Sequence, residues 1–476
     1  MTEAFHAQSL GSGPDPLRVA AAWPESRPLA ALLSARGGSE LARWSVIAAP
    51  TGTRTIETPE ADALGSSGLL DRIDSMVSRR GGVEPTADPE IPPFRGGSLL
   101  TMSYELGREL EPRARHVTDL SNGDEPLLTI LDCPNALVHD RDHDRWWLVG
   151  DPDTDPGLAD LLFVSQVDDS RTPACTILEA VPGDRDYAER VARTIEYVHA
   201  GDIFQANITR DFVAGVDTPT IADRRALATD LLKESGAWFG AILEYEACGI
   251  DRTVVSLSPE LFLSLDPVDS VIRTRPIKGT LPAGADPGDL ERSEKDAAEL
   301  AMIVDLMRND LGRICERGSV RVTRPRTIET HPGVIHGVAE ITGRIPESVG
   351  FGRLMSATFP PGSITGAPKV RAMQIIEELE RRPRGVYCGA LGFVSDCGRV
   401  ELDVSIRTLE LRPSGGSGGY SHTLRYGAGC GIVADSTPEG ETAESHAKAA
   451  LLSRYLETRS DRTPLSSGND LSTSGA

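Results

Sequence analysis

Cysteine is scarce in this sequence, a secretory signal is lacking, and no long apolar run occurs. The chain has 476 residues and seven cysteines, none of them in a Cys-x-x-Cys pair. This pattern argues against a zinc site or a disulfide framework and favours a reducing cytoplasm. Residues 1–15 lack the basic and then apolar pattern of a signal peptide, and no apolar run has membrane-spanning length. We therefore predict a cytoplasmic protein without a membrane partner.

Basic residues are also in short supply. The chain has 49 Lys and Arg against 71 Asp and Glu, which gives a net charge of −22. Such a chain should repel nucleic acid and anionic lipid, so we expect neither as a partner. An anionic substrate would need local cations, helix N-termini or a metal ion to be held. Apolar residues make up 39% of the chain and charged residues 25%, as in soluble globular proteins.

Four regions are distinguished by composition. Residues 1–17 are rich in Gly, Ser and Pro and are predicted to be disordered. Residues 18–165 read as short strands and turns with few long helices. A polar linker at 164–174 leads to residues 186–456, where helical and strand patterns alternate. The tail, residues 459–476, is rich in Ser, Thr, Gly and Asp and is again predicted to be disordered.

Helices and strands in the second half are predicted from the period of the apolar residues. We expect a mostly antiparallel sheet there. The predicted helices cover residues 187–200, 221–235, 289–316, 368–380 and 438–458, and the predicted strands cover residues 202–212, 241–245, 253–257, 386–393, 401–411 and 423–434.

The stretch 275–280 reads Arg-Pro-Ile-Lys-Gly-Thr and follows a strand-like run. Pro276 removes a ladder donor, so the strand should stop or bulge there. Gly279 allows a tight turn or a close approach of the backbone to a ligand. Lys278 lies between them, and near apolar neighbours its neutral, nucleophilic form would become more accessible. Taken alone, a Lys-Gly pair is more often a surface lysine before a turn.

Two pairs of carboxylates have helical spacing. Asp296 and Glu299 are three residues apart on one predicted helix, and Glu441 and Glu444 are three apart on the last one. Residues at i and i+3 share a helix face, so each pair converges on one spot. Each pair alone would be solvated surface in an acidic chain. If the two helices face each other, the four carboxylates can share a hard cation such as Mg²⁺.

Two glycine-containing turns precede predicted helices. Residues 426–436 read Tyr-Gly-Ala-Gly-Cys-Gly-Ile-Val-Ala-Asp-Ser, and Ser436 or Thr437 would cap the next helix. Backbone N–H groups in such a loop can bind a carboxylate, although a plain tight bend is the commoner case. Residues 360–373 offer hydroxyl groups but do not match a phosphate-binding loop, because Ala-Pro interrupts the pattern.

Two single residues are also candidates. His336 lies in an apolar stretch, where a satisfied core histidine is the commoner case. Arg407 lies on a strand that reads as buried and would need an anionic partner from the protein or from a ligand.

Taken together, these stretches resemble the chorismate-utilising enzymes. The resemblance runs in order through residues 186–456, and it is looser in the N-terminal region at 32–38 and 103–108. The segments that carry it are Gly-Asp-Ile-Phe-Gln (201–205), Ser-Pro-Glu-Leu-Phe (258–262), Arg-Pro-Ile-Lys-Gly-Thr (275–280), Met-Ile-Val-Asp-Leu-Met-Arg-Asn-Asp-Leu-Gly-Arg (302–313), Gly-Ser-Ile-Thr-Gly-Ala-Pro-Lys (362–369), Tyr-Cys-Gly-Ala-Leu-Gly-Phe (387–393) and Gly-Ile-Val-Ala-Asp-Ser (431–436). It implies an α+β fold with two antiparallel sheets, helices packed outside, and the two sequence regions interleaved.

The resemblance also implies a site for chorismate and Mg²⁺. The implied catalytic residues are Lys278 as nucleophile, Glu260 as general acid, and His336 in a lesser role. The implied substrate-binding residues are Thr280, Ser363, Thr365, Tyr387, Arg407, Gly429, Gly431 and Lys448. The implied metal ligands are Glu299 and Glu444 directly, with Asp296 and Glu441 through water.

Two positions divide the family. Isochorismate and salicylate synthases carry a water-activating lysine where this chain has Gln205, and anthranilate synthases carry alanine where it has Lys278. This combination resembles the members that convert chorismate and ammonia to 4-amino-4-deoxychorismate through a covalent lysine intermediate, for 4-aminobenzoate synthesis. Their ammonia comes from a partner glutamine amidotransferase. The alternatives are an anthranilate or 2-amino-2-deoxyisochorismate synthase component, and a non-catalytic relative that only senses a ligand.

The N-terminal region departs from the family pattern. In the family this segment helps to form a tryptophan site and usually includes glutamate, in the form Leu-Leu-Glu-Ser. Leu33 stands in that place here, which argues against bound tryptophan.

Overall fold

The computed structural model describes residues 7–34, 40–77, 83–115, 124–163, 173–282, 284–331, 334–415 and 419–459. The predicted disordered tail after residue 459 and most of the predicted linker at 164–174 lie outside this part of the chain.

Strands make up most of the described structure. In chain order they are β1 (Ala7–Gly11), β2 (Ala30–Leu33), β3 (Trp44–Ala48), β4 (Gly52–Ile56), β5 (Gly97–Met102), β6 (Leu128–Cys133), β7 (Ala136–Asp140), β8 (Arg145–Val149), β9 (Glu179–Val181), β10 (Gln205–Val216), β11 (Phe239–Ala247), β12 (Ile250–Ser258), β13 (Leu261–Asp266), β14 (Val271–Arg275), β15 (Ile277–Pro282), β16 (Arg321–His331), β17 (Val334–Arg344), β18 (Gly366–Ala367), β19 (Ala390–Ser395), β20 (Val400–Val404), β21 (Thr408–Pro413) and β22 (His422–Ile432).

Helices lie between and around these strands. In chain order they are α1 (Pro16–Ala21), α2 (Thr58–Met76), α3 (Leu106–Leu110), α4 (Asp184–His199), α5 (Ile221–Ser235), α6 (Pro287–Arg292), α7 (Glu294–Gly312), α8 (Phe351–Thr358), α9 (Lys369–Glu380) and α10 (Pro438–Glu457).

The strands form two sheets, and each described pairing is antiparallel. The first sheet runs β1-β8-β7-β3-β2-β11-β12-β21-β22-β10-β18, with β9 added beside β10. The second runs β15-β17-β14-β13-β20-β19-β5-β6-β4, with β16 beside β17. A shared apolar cluster joins the sheets: Leu243 and Val254 from the first sheet pack with Leu99 and Leu131 from the second. The predicted α+β class with two antiparallel sheets is confirmed.

The two halves of the sequence contribute to both sheets. Strand β2 of the N-terminal half pairs with β11, and β5 pairs with β19. The predicted interleaving is therefore confirmed, and the N-terminal half closes both sheets rather than standing apart as a separate unit.

Several predictions about single elements need correction. Residues 7–11 form β1, which pairs with β8, so disorder is wrong for this part of the N-terminus. Two predicted elements also differ from the structure. Helix α2 has 19 residues and a kink at Gly65, and it lies where the sequence predicts short strands and turns. The single helix expected at 289–316 is two helices, because Ser293 ends α6 and its side chain caps α7.

Other local predictions agree with the structure. Helix α5 has the predicted bounds, and Thr437 caps α10 with proline in its first turn. None of the seven cysteines, all of them described, forms a disulfide. Within the described residues, every helix is too short or too polar to span a lipid bilayer.

Candidate active site

Lys278 lies at a break between two strands. Strand β14 ends at Arg275 and β15 begins after Pro276, as the proline predicts. The pairing of β15 with β17 is irregular between Ile277 and Thr280. Gly279 has φ +80°, and a Cβ at this residue would lie 2.9 Å from Cγ of Asp296 on α7. The strand that carries the lysine is therefore held tightly against the helix that carries one acidic pair.

The floor of the site is a glycine-rich strand, β22. Gly427, Gly429 and Gly431 alternate along it and so face the same side of the sheet. A Cβ at Gly431 would lie 2.9 Å from Nζ of Lys278, and one at Gly427 would lie 2.1 Å from the ring of Tyr387. The lysine and the tyrosine therefore rest directly on the strand, in space that any larger residue would fill.

Glu260 lies between β12 and β13 and is 4% exposed. Burial raises the pKa of its carboxyl to about 7, although the Ser363 hydroxyl and the charge of Lys278 act to lower it. Ser363 Oγ is buried beside this carboxyl but forms no hydrogen bond of standard geometry within the described residues. A carboxyl that holds its proton near neutral pH can serve as a general acid.

The two acidic pairs approach the lysine from α7 and α10. Burial raises the pKa of Glu299, against the charge of Lys278. Burial also opposes ionisation of Glu444, but the charges of Lys448 and Lys278 lower its pKa overall. Since the charge of Lys278 acts on a carboxylate of each helix, both helices border the amine. The expected convergence of the two helices is therefore supported.

A tighter ligand group lies on the α10 side. Atoms of Cys430, Glu441 and Glu444 that could bind a metal lie within 4.8 Å of one another. Glu441 also accepts a hydrogen bond from Ser436 at 2.6 Å. Glu299 is not part of this compact group. The donor set is mainly carboxylate oxygen, which fits Mg²⁺.

Two cations border the glycine floor. The Lys448 ammonium donates to the carbonyl of Gly429 at 2.7 Å and pairs with Glu444 at 2.8 Å. Arg407 lies between β20 and β21 and is half-buried, so its predicted place on a buried strand is wrong. It has φ +52°, and its guanidinium forms no ion pair within the described residues. A half-buried cation without a protein carboxylate favours an anionic ligand.

The remaining predicted residues have partners within the protein. Thr280 forms a hydrogen bond of 2.9 Å with His336, which is 1% exposed. Thr365 is fully buried and donates to the carbonyl of Pro361 at 3.1 Å. The first contact joins β15 to β17, and the second stabilises the turn before β18. The functional roles of Thr280, His336 and Thr365 stay predictions.

Sequence reasoning missed the buried scaffold around the floor. Arg384 is buried and binds Glu380, the carbonyl of Ile364 and the carbonyl of Asn207. It thereby ties α9 to β10 and to the turn that contains Ser363. Glu380 is four residues before Arg384 in the sequence, but the two carbonyls are 20 and 177 residues away, so no local pattern reveals the whole set of contacts.

A crevice between the sheets lies behind the predicted catalytic residues. Pro259, Leu261 and Ile277, the neighbours of Glu260 and Lys278, line part of it. An adjoining cleft is bordered by the N-terminal segment and by aromatic side chains. Its lining includes Leu32, Leu33, Ser34, Trp44, Trp238 and Phe239. The continuation of this N-terminal segment at 35–39 lies outside the described residues.

Known proteins resemble the chain in sequence. Two are named aminodeoxychorismate synthase component 1 and are 36% identical: that of Salmonella typhimurium, over 78% of this chain and 79% of the relative, and that of Escherichia coli K12, over 81% and 82%. Anthranilate synthase component 1 3 of Haloarcula marismortui is 34% identical over 83% of this chain and 79% of that protein.

Structure and family comparisons agree. The crystal structure of anthranilate synthase component I from Streptococcus pneumoniae has a TM-score of 0.70 and 25% identity, covering 88% of this chain and 94% of that one. The chain also matches the family described as chorismate binding enzyme over residues 32–454. With this match over most of its length, the chain belongs to the chorismate-binding enzyme family.

Proposed function

We propose that the chain is an aminodeoxychorismate synthase component I, which converts chorismate and ammonia to 4-amino-4-deoxychorismate for 4-aminobenzoate synthesis. The 36% identity to two relatives of that name supports this choice. The observation that carries it is the pairing of Lys278 with a buried carboxyl whose pKa is about 7, since the charge of the lysine acts on Glu260. An amine and a proton donor side by side suit a covalent displacement.

In the first step the neutral Lys278 amine attacks ring C2 of chorismate. The bond from Nζ to C2 forms, the two ring double bonds shift, and the bond from C4 to its hydroxyl breaks. Glu260 gives its proton to that hydroxyl, which leaves as water. Nζ keeps its protons and becomes a secondary ammonium group, and Glu260 becomes a carboxylate.

In the second step ammonia adds at C4. The double bonds shift back, the bond from C2 to Nζ breaks, and the electron pair returns to Lys278. The new ammonium group at C4 passes a proton to Glu260, which restores both residues. Splitting one substitution into two allylic steps makes each of them easier.

The remaining site residues would bind the substrate. Arg407, without a carboxylate partner among the described residues, and Lys448 would hold an anionic group of chorismate near Tyr387. Gly429 and Gly431 leave the floor open to the ring, and Ser363 offers an uncommitted hydroxyl. Thr280, Thr365 and His336 would support this arrangement.

Mg²⁺ fits the acidic side of the site. Glu299 and Glu444 would bind it directly, with Asp296 and Glu441 through water. When bound, the ion would neutralise and orient the carboxylate of the substrate.

The ammonia source would be a partner glutamine amidotransferase. Free ammonia is scarce near neutral pH, because most of it is ammonium. We propose a cytoplasmic complex of the two subunits, in which the isolated chain also works with high ammonium salt. Within this complex, the two predicted regions at residues 18–165 and 186–456 would act as one catalytic unit.

The test compares Lys278→Ala with Lys233→Ala, a control at an exposed lysine on α5. With chorismate, Mg²⁺ and ammonium salt, we expect the wild type and the control to form 4-amino-4-deoxychorismate. Lys278→Ala should form it at a severely reduced rate and show no adduct by intact mass. An unchanged rate and product in Lys278→Ala would exclude the covalent step. Fluorescent anthranilate as the product would favour the alternative synthase, and no turnover by the wild type would favour a non-catalytic relative.

A further inference from the structure

Gln205 is a buried amide without a described partner. It is the first residue of β10 and is 0% exposed. Neither its Nε2 nor its Oε1 has a hydrogen-bond partner among the described residues. A buried polar group left unpaired destabilises the folded protein, so such a group needs an explanation.

The amide lies beside the reacting amine. A Cβ at Gly431 would lie 2.8 Å from Nε2 of Gln205 and 2.9 Å from Nζ of Lys278. The two side chains therefore share the space above one glycine.

The backbone of Gln205 is fixed from the opposite side. Gln205 pairs with Ala367 of β18, and a Cβ at Gly366 would lie 2.0 Å from the Gln205 carbonyl oxygen. A residue held this firmly presents its side chain in a reproducible direction, which a positioning role requires.

We propose that Gln205 is a positioning residue whose amide oxygen accepts a hydrogen bond from an N–H of the neutral Lys278, which leaves the lone pair of the amine directed at ring C2 of the substrate. A half turn of the amide exchanges Oε1 and Nε2, so either atom can face the amine. This inference rests on the proposed function. The amide takes no part in the electron flow: Nζ forms the bond to C2, the C4 hydroxyl leaves as water with the Glu260 proton, and Gln205 is unchanged. A neutral acceptor suits this role, because it stabilises the ammonium form of the lysine less than a carboxylate would.

Two substitutions of similar volume separate this role from packing. Gln205→Met removes both polar atoms, and Gln205→Glu keeps the shape but replaces the neutral acceptor with a carboxylate, which would hold Lys278 as an ammonium group. Gln374→Met is the control, because Gln374 on α9 binds the Arg113 carbonyl at the surface. The rate of the covalent adduct is measured by rapid quench and intact mass with chorismate and Mg²⁺ but no ammonium, and chorismate affinity is measured separately by calorimetry on Lys278→Ala with and without each change.

We expect both Gln205 variants to form the adduct about 10- to 100-fold more slowly, with chorismate affinity changed less than about twofold. The control should match the wild type. An adduct rate within about threefold of wild type in either folded variant would overturn the inference. So would a weaker chorismate affinity with an unchanged adduct rate, because Gln205 would then bind the substrate itself.

The two proposals fail in different ways. A wild type that forms neither adduct nor product would remove the proposed function. A wild type that forms both, with Gln205 variants that do the same at the same rate, would remove only the role of Gln205. Urea unfolding of each variant identifies any that does not fold, and the remaining variant then decides the outcome.

Discussion

The charge of Lys278 lowers the pKa of Glu260, yet burial still holds that carboxyl at about 7. The acid and the amine are thus coupled before any substrate binds. Near neutral pH the carboxyl is protonated about half of the time, so a proton is available for the leaving hydroxyl.

The first prediction concerns the dependence of the rate on pH. Because the acid form of Glu260 in the free enzyme is lost as the pH rises through about 7, the wild-type kcat/KM should decline there. Glu260→Gln should lower kcat/KM by about 10²- to 10⁴-fold and abolish this decline. Steady-state rates between pH 6 and 9 test this, with the exposed Glu246→Gln as control. A decline that persists in Glu260→Gln would assign it to another group.

The second prediction concerns stability. The native pKa of Glu260 is raised from 4.5 to about 7, so the folded protein binds more protons than the unfolded chain in this interval. The stability that the protonated carboxyl contributes is therefore lost as the pH rises from about 4.5 to 7. Relative to wild type, Glu260→Gln should gain about 2–3 kcal/mol in the free energy of unfolding between pH 5 and 8. Urea unfolding at both pH values measures the gain, and a difference independent of pH would contradict it.

The third prediction concerns the glycine floor. Gly431→Ala would put a methyl group less than 3 Å from both Lys278 and Gln205, so the amine must move. A displacement of this size should lower kcat by about 10²-fold. Gly312→Ala at the end of α7 is the matched control, because no described atom outside its own stretch of helix lies within 4 Å of its Cβ position. Equal rates for the two variants would show that the lysine tolerates the displacement.

The fourth prediction concerns the metal. Glu444→Gln removes a carboxylate that lies within 4.8 Å of two other potential ligands, Cys430 and Glu441. The Mg²⁺ concentration for half-maximal activity should rise at least about tenfold. Glu439→Gln, in the exposed first turn of the same helix, should leave it unchanged. If both variants respond alike to titration with Mg²⁺, the ion binds elsewhere.

Local chemistry made some elements predictable. Pro276 cannot donate to a ladder, so the break between β14 and β15 follows from the sequence. Ser293 caps α7, but it lies within a long charged stretch that hides the boundary. The sequence pattern therefore predicts one helix where the structure has two. Helix α2 was missed because Gly65 and Gly68 weaken its pattern.

The site required tertiary information. The carboxylates and Lys278 were predicted from spacing and from resemblance. The contact of Gln205 with the space above Gly431 depends on the register of β10 against β22, where Asn207 lies opposite Gly431. Such a contact joins residues more than two hundred positions apart, and no local period encodes it. The lack of a hydrogen-bond partner for the Gln205 amide follows only from the arrangement of the strands.

The crevice between the sheets shares a wall with the reaction centre. Pro259, Leu261 and Ile277 face that crevice, and their immediate neighbours are Glu260 and Lys278. Because this wall is close-packed, a shift of side chains on the crevice side also shifts the residues on its other side. Repacking of the crevice would therefore shift the proton donor and the nucleophile together, and enzyme engineering aimed at this interior would act on turnover without touching the substrate.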